Sequence, residues 1–219
     1  MSRGQALSRL SELTSEQWGM VTAAQARLQG VTRVDMARLV ADGTIEQVTG
    51  AARVYRLTGS PPEPELDPLR AAWLQFGGAR PTAQRLRDPD AVASHRSAAV
   101  ALHLGDLLPR AHEFYVVRRR QLRRYDLRLR VRQLSRGEWR VVEGLPVSTA
   151  PRMIADLLAD REDESAVARI CQDAVRGGLL NTTLLTALVA PYAQAYRATG
   201  GRESSARLLG GAASAEQEA

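Results

Sequence analysis

Lysine is absent from this 219-residue chain, so arginine supplies all 30 of its basic side chains. A P-loop needs a lysine at the nucleotide phosphates, a Schiff-base enzyme needs a lysine amine, and the restriction-type nuclease motif normally ends in lysine. The chain can therefore host none of these sites in their usual form. Cysteine is limited to Cys171, which excludes an intramolecular disulfide and is typical of a protein from a reducing cytoplasm.

Closely spaced metal ligands and long apolar runs are absent as well. The three histidines, His95, His103 and His112, are eight and nine residues apart, whereas metal sites usually show close pairs or a Cys/His cluster. No stretch reaches the ~20 apolar residues of a membrane-spanning helix, and the N-terminus lacks the apolar run of a signal peptide. We therefore predict no metal, no cofactor, no membrane association and a cytoplasmic location. Cys171 lies in an apolar periodic segment and is predicted to be a core residue rather than a nucleophile.

Residues 22–57 have the pattern of two short helices followed by two short strands. Thr22 with Gln25, and Thr32 with Asp35, each fit a capping box, in which side chains bond the unpaired amides at a helix start. Gly30 lies between the two helices, where a turn accommodates a left-handed residue. Both helix starts are therefore marked locally in the sequence.

The second helix of this pair is predicted to run from Arg33 to about Ala41, and Gly43 ends it. Two β-favouring segments, 45–48 and 53–57, follow the helix, and a turn at 49–52 joins them into a predicted hairpin. Helix, turn, helix and hairpin is the order of a winged helix-turn-helix, whose second helix enters the major groove of DNA.

One face of this second helix is predicted to be buried, and the opposite face suits DNA. Met36, Leu39 and Val40 recur at helical spacing and form the buried stripe. Small side chains on the other face can touch thymine methyl groups, helix arginines can reach guanine edges, and hairpin arginines can hold phosphates. The alternative is a small helical domain whose surface happens to carry arginine. The candidate DNA contacts are Thr32, Arg33, Val34, Ala37 and Arg38 on the helix, and Arg53 and Arg56 on the hairpin.

The hydrophobic content of 44% is ordinary, and the length suits two modest domains. Residues 59–64, GSPPEP, predict a linker, because proline lacks the amide hydrogen and restricts its neighbour. We predict a winged helix-turn-helix domain at 1–58, a linker at 59–67, a C-terminal domain at 68–209 and a disordered tail at 210–219. The predicted fold class is α+β, in which a larger mixed α/β domain with a small, mainly antiparallel sheet packed by helices follows the winged domain.

The C-terminal domain alternates helical and strand patterns. Ser94 is predicted to cap a helix reaching to Leu108, with His95 in its first turn, where the histidine forms either a local hydrogen bond or a ligand or partner contact. Strands are predicted at 114–117, 127–132 and 139–142. Arg152 and Asp156, one helical turn apart, fit an internal ion pair better than a catalytic site. The predicted core includes Trp73, Leu102, Leu129, Ile154, Leu158 and Ile170.

Arginine is concentrated between residues 110 and 140, which contain eleven arginines against three carboxylates. On one predicted strand the arginines alternate with Leu127, Leu129 and Val131, so they share one face of the strand. The arginines that precede this strand are expected to lie beside it in a hairpin. Such a surface is either a solvated sheet face or a surface for nucleic acid or an acidic partner. We define the arginine strip as Arg118, Arg119, Arg120, Arg123, Arg124, Arg128, Arg130 and Arg132.

Three stretches together resemble one protein family. They are VTAAQARLQGVTRVDMARLVADGTIEQV at 21–48 with VYRL at 54–57, SHRSAAVALHLGDLLP at 94–109, and GLPVSTAPRMIADLL at 144–158 with a following helix that contains Asp173. This combination resembles the AbiEi-type antitoxins of bacterial type IV toxin–antitoxin systems, over most of the chain. The resemblance implies a non-enzymatic antitoxin whose winged domain binds operator DNA of its own promoter and whose C-terminal domain neutralises a nucleotidyltransferase-like toxin.

Two other functions are compatible with the residues. One is a stand-alone winged-helix transcriptional regulator whose C-terminal domain senses a ligand or dimerises. The other is an enzyme, a nuclease or transferase that reaches nucleic acid through the arginine strip. The missing lysine and the lack of an Asp/Glu/His cluster at useful spacing both disfavour the enzyme.

Overall fold

The computed structural model of the protein describes residues 1–120, 124–196 and 198–210. The chain folds into two compact units. The first unit comprises Met1–Ala91 with Glu143–Leu145, and the second comprises Val92–Val142 with Pro146–Ala219. The fold is mixed α/β with two small sheets, which confirms the predicted mixture of helices and strands.

The first unit is built on a three-stranded antiparallel sheet in the order β1-β3-β2. Leu10, Val21, Ala26, Met36 and Leu39 are among the buried side chains that form its core. Its elements are α1 Arg3–Ser15, β1 Met20–Thr22, α2 Ala23–Leu28, α3 Arg33–Ala41, β2 Ile45–Gln47, β3 Val54–Leu57, α4 Asp67–Gly77 and α5 Thr82–Arg87.

Both predicted capping boxes are confirmed. The Gln25 amide donates to Thr22 Oγ1 at 3.1 Å, and the Thr22 amide donates to Gln25 Oε1 at 2.9 Å. The corresponding bonds between Thr32 and Asp35 are 3.2 and 3.1 Å. Gly30 has the predicted left-handed backbone with φ of +72°. The start and end of α3 are therefore those the sequence predicts.

Two details of the first unit differ from the prediction. Strand β1 was not predicted, because three consecutive buried residues show neither strand nor helix periodicity. Val40 was predicted to be buried but is 41% exposed. The buried side chains of α3 are Asp35, Met36 and Leu39, so the buried face includes Asp35 of the capping box and excludes Val40.

The first unit extends beyond the predicted domain boundary. Residues 59–67 lie within it, and α4 packs against β1 and β3. Asp67, the first residue of α4, accepts a hydrogen bond from the Glu63 amide at 2.9 Å and forms an ion pair with Arg56. These contacts attach the proline-rich segment and α4 to the hairpin, where the sequence predicts a linker.

A five-stranded sheet in the order β6-β5-β4-β8-β7 organises the rest of the chain. Helices α6 and α7 pack against each other, and α7 also packs against α8 and α9. A 3₁₀ helix spans Ala190–Tyr196. The other elements are β4 Ala91–Ala93, α6 His95–Ala101, β5 His112–Val116, β6 Leu127–Val131, β7 Trp139–Val142, β8 Leu145–Ser148, α7 Ala150–Ala159, α8 Glu164–Arg176, α9 Thr182–Val189 and α10 Gly201–Leu208.

The prediction of a mainly antiparallel sheet is wrong for two of the neighbouring strand pairs. Strand β5 pairs with β6 in parallel, with Phe114 opposite Leu129, and β4 pairs with β8 in parallel. Parallel strands usually need a crossover helix between them. Because no helical pattern separates β5 from β6 in the sequence, a hairpin was the natural expectation.

Most of the predicted core is confirmed. Trp73, Ile154, Leu158 and Ile170 are buried, and Trp73 belongs to the first unit. Leu102 and Leu129 are only half-buried. Leu129 lies on β6, an edge strand that is covered incompletely, and Val131 on the same strand is 60% exposed.

Candidate nucleic-acid interface and arginine cluster

Helix α3 presents the face that the sequence assigns to DNA. Thr32, Arg33, Val34, Ala37 and Arg38 are the candidate contacts, and the last four lie on the helix itself. The buried Met36 and Leu39 fix the rotation of the helix, and the Thr32–Asp35 capping box fixes its start. Arg33 and Arg38 are both exposed, and within the described part of the chain neither forms an ion pair.

The two hairpin arginines differ in what they contact. Arg53 is exposed and has a left-handed backbone, with φ of 62°, immediately before β3. Arg56 instead forms ion pairs with Glu46, at 2.5 Å, and with Asp67, and its side chain is only 15% exposed. Arg56 therefore links β2 and α4 to β3, and this engagement removes it from the residues best placed to hold a phosphate.

The arginine strip is distributed over surfaces of different character. Arg118 and Arg119 follow β5 and are exposed, Arg120 and Arg124 are half-buried, and Arg123 lies outside the described residues. The strip arginines on and after β6 are 60%, 25% and 43% exposed, in the order Arg128, Arg130 and Arg132. The hairpin expected for the first half of the strip is replaced by the parallel pairing of β5 with β6.

Carboxylates meet most of the described strip arginines. Arg130 forms a two-point ion pair with Asp160 at the end of α7 and lies 3.6 Å from Glu113 Oε1 on β5. Arg128 also lies 3.6 Å from that oxygen. Arg132 is 3.5 Å from Glu138, and Arg124 is paired with Asp126. The strip is therefore partly neutralised by carboxylates of its own chain, which the sequence did not predict.

A polar cleft of about 410 Å³ opens in the second unit beside the strip. His95 and Glu113 are its most buried charged or titratable lining residues, at 2% and 5% exposure. Arg110, Arg128 and Arg161 line it with exposed side chains. The remaining charged side chains of the lining are Arg96, Asp160 and Glu162.

Residues of the Ser94-His95-Arg96-Ser97 sequence form the hydrogen bonds at the buried end of this cleft. The Arg96 amide donates to Glu113 Oε2 at 3.1 Å, and Ser97 Oγ accepts from the Glu113 amide at 2.9 Å. The Arg96 side chain forms two 2.7 Å bonds to the Glu162 carboxylate. Ser94 Oγ does not cap α6 as predicted, because it bonds His95 Nδ1 at 3.0 Å instead.

Burial shifts the pKa values of two groups at the floor of the cleft. Burial lowers the pKa of His95 to about 4, against the opposing charge of Asp156, so the imidazole is neutral at neutral pH. Burial also raises the pKa of Glu113, although the bond from the Arg96 amide and the charges of Arg130 and Arg128 oppose this shift. Sequence reasoning singled out His95, and the structure shows the local hydrogen bond that was one of its two expected roles. Glu113 was missed, because a single glutamate near the start of a strand carries no distinctive pattern.

Two further predictions are confirmed away from the cleft lining. Arg152 and Asp156 form an ion pair, and Asp156 is only 4% exposed. Cys171 is buried, and burial raises the pKa of its thiol to about 12, which keeps the thiol protonated at neutral pH. In residues 1–120, 124–196 and 198–210, no three His, Cys, Asp or Glu side chains are grouped to hold a metal ion, and no helix has the length and apolar character needed to cross a membrane.

No protein-family model and no curated protein matches the chain. Among solved structures, the chain is similar to the crystal structure of the RV2827C protein from Mycobacterium tuberculosis. The TM-score is 0.50 at 15% sequence identity, and the alignment covers 93% of this chain and 76% of the other. At this identity the similarity supports the mixed α/β fold and carries no functional assignment.

Proposed function

We propose that the protein is a sequence-specific DNA-binding regulator whose first unit is a winged helix-turn-helix and whose recognition helix is α3. The observation that carries this proposal is the exposed α3 face, which combines two exposed arginines, Arg33 and Arg38, with small side chains. The element order α1, β1, α2, α3, β2, β3 and the antiparallel sheet β1-β3-β2 also agree with a winged-helix arrangement, in which β2 and β3 would form the wing.

The chemistry of the α3 face suits the major groove. Arg33 and Arg38 have guanidinium groups that match the two acceptors of guanine, and Val34 and Ala37 are short enough for close approach to thymine methyl groups. Arg53, exposed at the hairpin, would hold a backbone phosphate. Arg56 is left out of this set because Glu46 and Asp67 already neutralise it.

The family resemblance adds a second part to the proposal. On this interpretation the protein is an antitoxin of the AbiEi type that represses its own operon and counteracts a nucleotidyltransferase-like toxin, without being an enzyme itself. The support is the triple motif match, whose Ser94–Ser97 stretch forms one buried hydrogen-bonded arrangement with Glu113. Such an arrangement explains why these residue types occur together without requiring catalysis.

Binding of the full chain to DNA from its own promoter tests the DNA-binding part. Arg38→Ala should weaken the specific complex by about 1–3 kcal/mol if Arg38 contacts a base with both nitrogens. Arg87→Ala is the matched control, because Arg87 is an exposed helical arginine of the same unit on α5. Equal affinity of the two variants in fluorescence anisotropy titrations would show that α3 does not contact the DNA.

Co-expression tests the antitoxin part. The full chain should restore growth to cells that express a nucleotidyltransferase-like toxin from the adjacent gene. Failure to restore growth at normal protein levels, with promoter binding intact, would leave a DNA-binding regulator that is not an antitoxin.

The cleft favours one alternative, a stand-alone regulator whose second unit senses a ligand. A cleft of about 410 Å³ falls in the usual size range of small-molecule sites. A ligand that changes promoter affinity of the full chain, in the absence of any toxin gene, would select this alternative over the antitoxin.

A further inference from the structure

Three of the four exposed charged residues that line the second-unit cleft are arginines, and the fourth is Asp160. Arg110, Arg128 and Arg161 are exposed. The side chains of Glu113 and Glu162 are only 7% and 15% exposed. A ligand that enters from solvent therefore meets more guanidinium groups than carboxylates.

Internal ion pairs neutralise the carboxylates that line the cleft. Arg96 satisfies Glu162 with two bonds of 2.7 Å, and Arg130 engages Asp160 with both terminal nitrogens. Glu113 accepts a hydrogen bond from the Arg96 amide and lies 3.6 Å from both Arg128 and Arg130. None of these three groups is left to attract a cation.

Two of the exposed arginines have their full donor capacity available. Among the residues that the structure describes, neither Arg110 nor Arg161 forms an ion pair, and Arg128 has only the 3.6 Å contact with Glu113. Each guanidinium group can donate two parallel hydrogen bonds to a planar pair of oxygens. Three such groups around one cleft suit a ligand that carries more than one negative charge.

We propose that this cleft is a phosphate-binding site for a phosphorylated ligand, held by Arg110, Arg128 and Arg161. Phosphate offers several charged oxygens to several arginines, whereas one carboxylate would leave at least one guanidinium unmatched. The polar lining excludes an apolar ligand, and the size of the cleft admits a pyrophosphate or a nucleotide. The inference concerns the second unit alone and does not depend on DNA recognition by α3.

Calorimetric titration of the full chain with inorganic pyrophosphate tests the site. Saturable binding at one ligand per chain is expected, and Arg128→Gln should raise the Kd by about tenfold or more, because it removes a charge-assisted contact. Arg140→Gln is the matched control, since Arg140 is an exposed strand arginine of the same unit, on β7, that does not line the cleft. Equal binding by the two variants, or no binding at all, overturns the proposal.

Asp160→Asn should change the affinity for pyrophosphate in the opposite direction to Arg128→Gln. The change releases the Arg130 guanidinium and removes a negative charge from the cleft, so pyrophosphate should bind several-fold more tightly. Asp160 is the C-cap of α7, where a negative charge is unfavourable to the helix dipole, so the neutral residue should preserve the fold. Weaker binding by a folded Asp160→Asn protein would contradict a phosphate site.

A competition experiment identifies the source of the phosphate. If ATP displaces pyrophosphate and a short single-stranded oligonucleotide does not, the ligand is a small phosphorylated molecule. If the oligonucleotide displaces it and Arg118→Gln weakens that displacement, the phosphate belongs to a nucleic acid strand that continues along the arginine strip. Either result supports the site only when Arg128→Gln weakens pyrophosphate binding and Arg140→Gln does not.

Discussion

The α3 face of the first unit carries few arginines, and the arginine strip of the second unit carries many, yet the sparser surface has the more available charge. Arg33 and Arg38 contact no carboxylate of the described chain, whereas Arg124, Arg130 and Arg132 each do. The carboxylate partners of Arg130 come from β5 and from the end of α7. Density of basic residues in a sequence therefore does not measure the positive charge that a partner molecule meets.

The comparison also separates two uses of arginine. On α3, replacing an arginine should change binding and leave stability unchanged. In the second unit, replacing an arginine that is paired with a carboxylate, such as Arg130 or Arg152, leaves that carboxylate without its partner, so stability should change as well. The following predictions test this separation.

Truncation of Ile154 should have the largest effect. Ile154 is fully buried on α7, the helix that supplies Asp156 and Asp160 to Arg152 and Arg130. Ile154→Ala should lower the free energy of unfolding by about 2–5 kcal/mol through loss of packing and creation of a cavity. Denaturant titration measures the change, and Val131→Ala, at the exposed edge strand, should stay within about 0.5 kcal/mol of the wild type. Similar values for the two variants would mean that α7 does not anchor the paired arginines.

Removal of an arginine that is paired with a buried carboxylate should cost stability, whereas removal of an arginine on the α3 face should not. Arg152→Gln leaves the buried Asp156 without its ion-pair partner and should destabilise the protein by about 1–3 kcal/mol. Arg38→Gln, on the exposed α3 face, should change stability by no more than about 0.5 kcal/mol. Denaturant titration of both variants makes the comparison, and an equal loss would erase the distinction between the two surfaces.

Acid should destabilise the protein partly through His95. The pKa of this histidine is about 4 in the folded protein, below its ordinary value of 6.5, because burial disfavours the charged imidazolium. Between these values the unfolded chain binds a proton that the folded chain does not, so stability is lost as the pH falls from about 6.5 towards about 4. The contribution should be about 1–2 kcal/mol once solvent screening is allowed for.

The raised pKa of Glu113 acts in the opposite direction, because a carboxyl group of raised pKa gains a proton on folding. The measurement is therefore the difference between wild type and His95→Gln, compared by denaturant titration at about pH 7 and about pH 5. The variant should lose less stability on acidification than the wild type. His103→Asn, at an exposed histidine, serves as control and should follow the wild type.

The hairpin arginines should give the smallest effects, and they test the comparison within one unit. Arg53→Gln should reduce the salt dependence of DNA binding by roughly one phosphate contact while all DNA sequences weaken equally. Arg56→Gln should leave the salt dependence unchanged and lower stability by up to about 1 kcal/mol, because its ion pairs with Glu46 and Asp67 are lost. Salt titrations that show the reverse pattern would indicate that Arg56, rather than Arg53, contacts a DNA phosphate.

Local structure was predictable from the sequence where the determinants are close together. Thr32 and Asp35 mark the start of α3, and Gly43 follows its end, so its bounds follow from side chains within one or two turns. The Arg152–Asp156 pair was predictable for the same reason. Val40 was assigned to the wrong face because helical spacing gives the width of a buried stripe less accurately than its existence.

Long-range structure was less predictable, and it decides the candidate site. Arg130 meets Asp160 thirty residues away, and Glu113 meets Arg96 seventeen residues away, through strand and helix packing that no local pattern encodes. The parallel pairing of β5 with β6 brings Glu113 beside Arg128 and was itself unexpected. The sequence therefore identified the arginines but not the carboxylates that accompany them.

The first unit is built from two separate segments of the chain, and this limits how the protein can be divided. Glu143, far along the chain, belongs to this unit, where its carbonyl accepts from Trp18 Nε1 at 2.7 Å and its carboxylate pairs with the buried Arg70 at 2.9 Å. A single cut after Ala91 would remove both partners. Deletion mapping would then confuse loss of DNA affinity with loss of folding, and recombination could not exchange the first unit as one uninterrupted gene segment. A faithful minimal version needs residues 143–145 grafted back, so point substitutions in the full chain are the sounder route to assigning function.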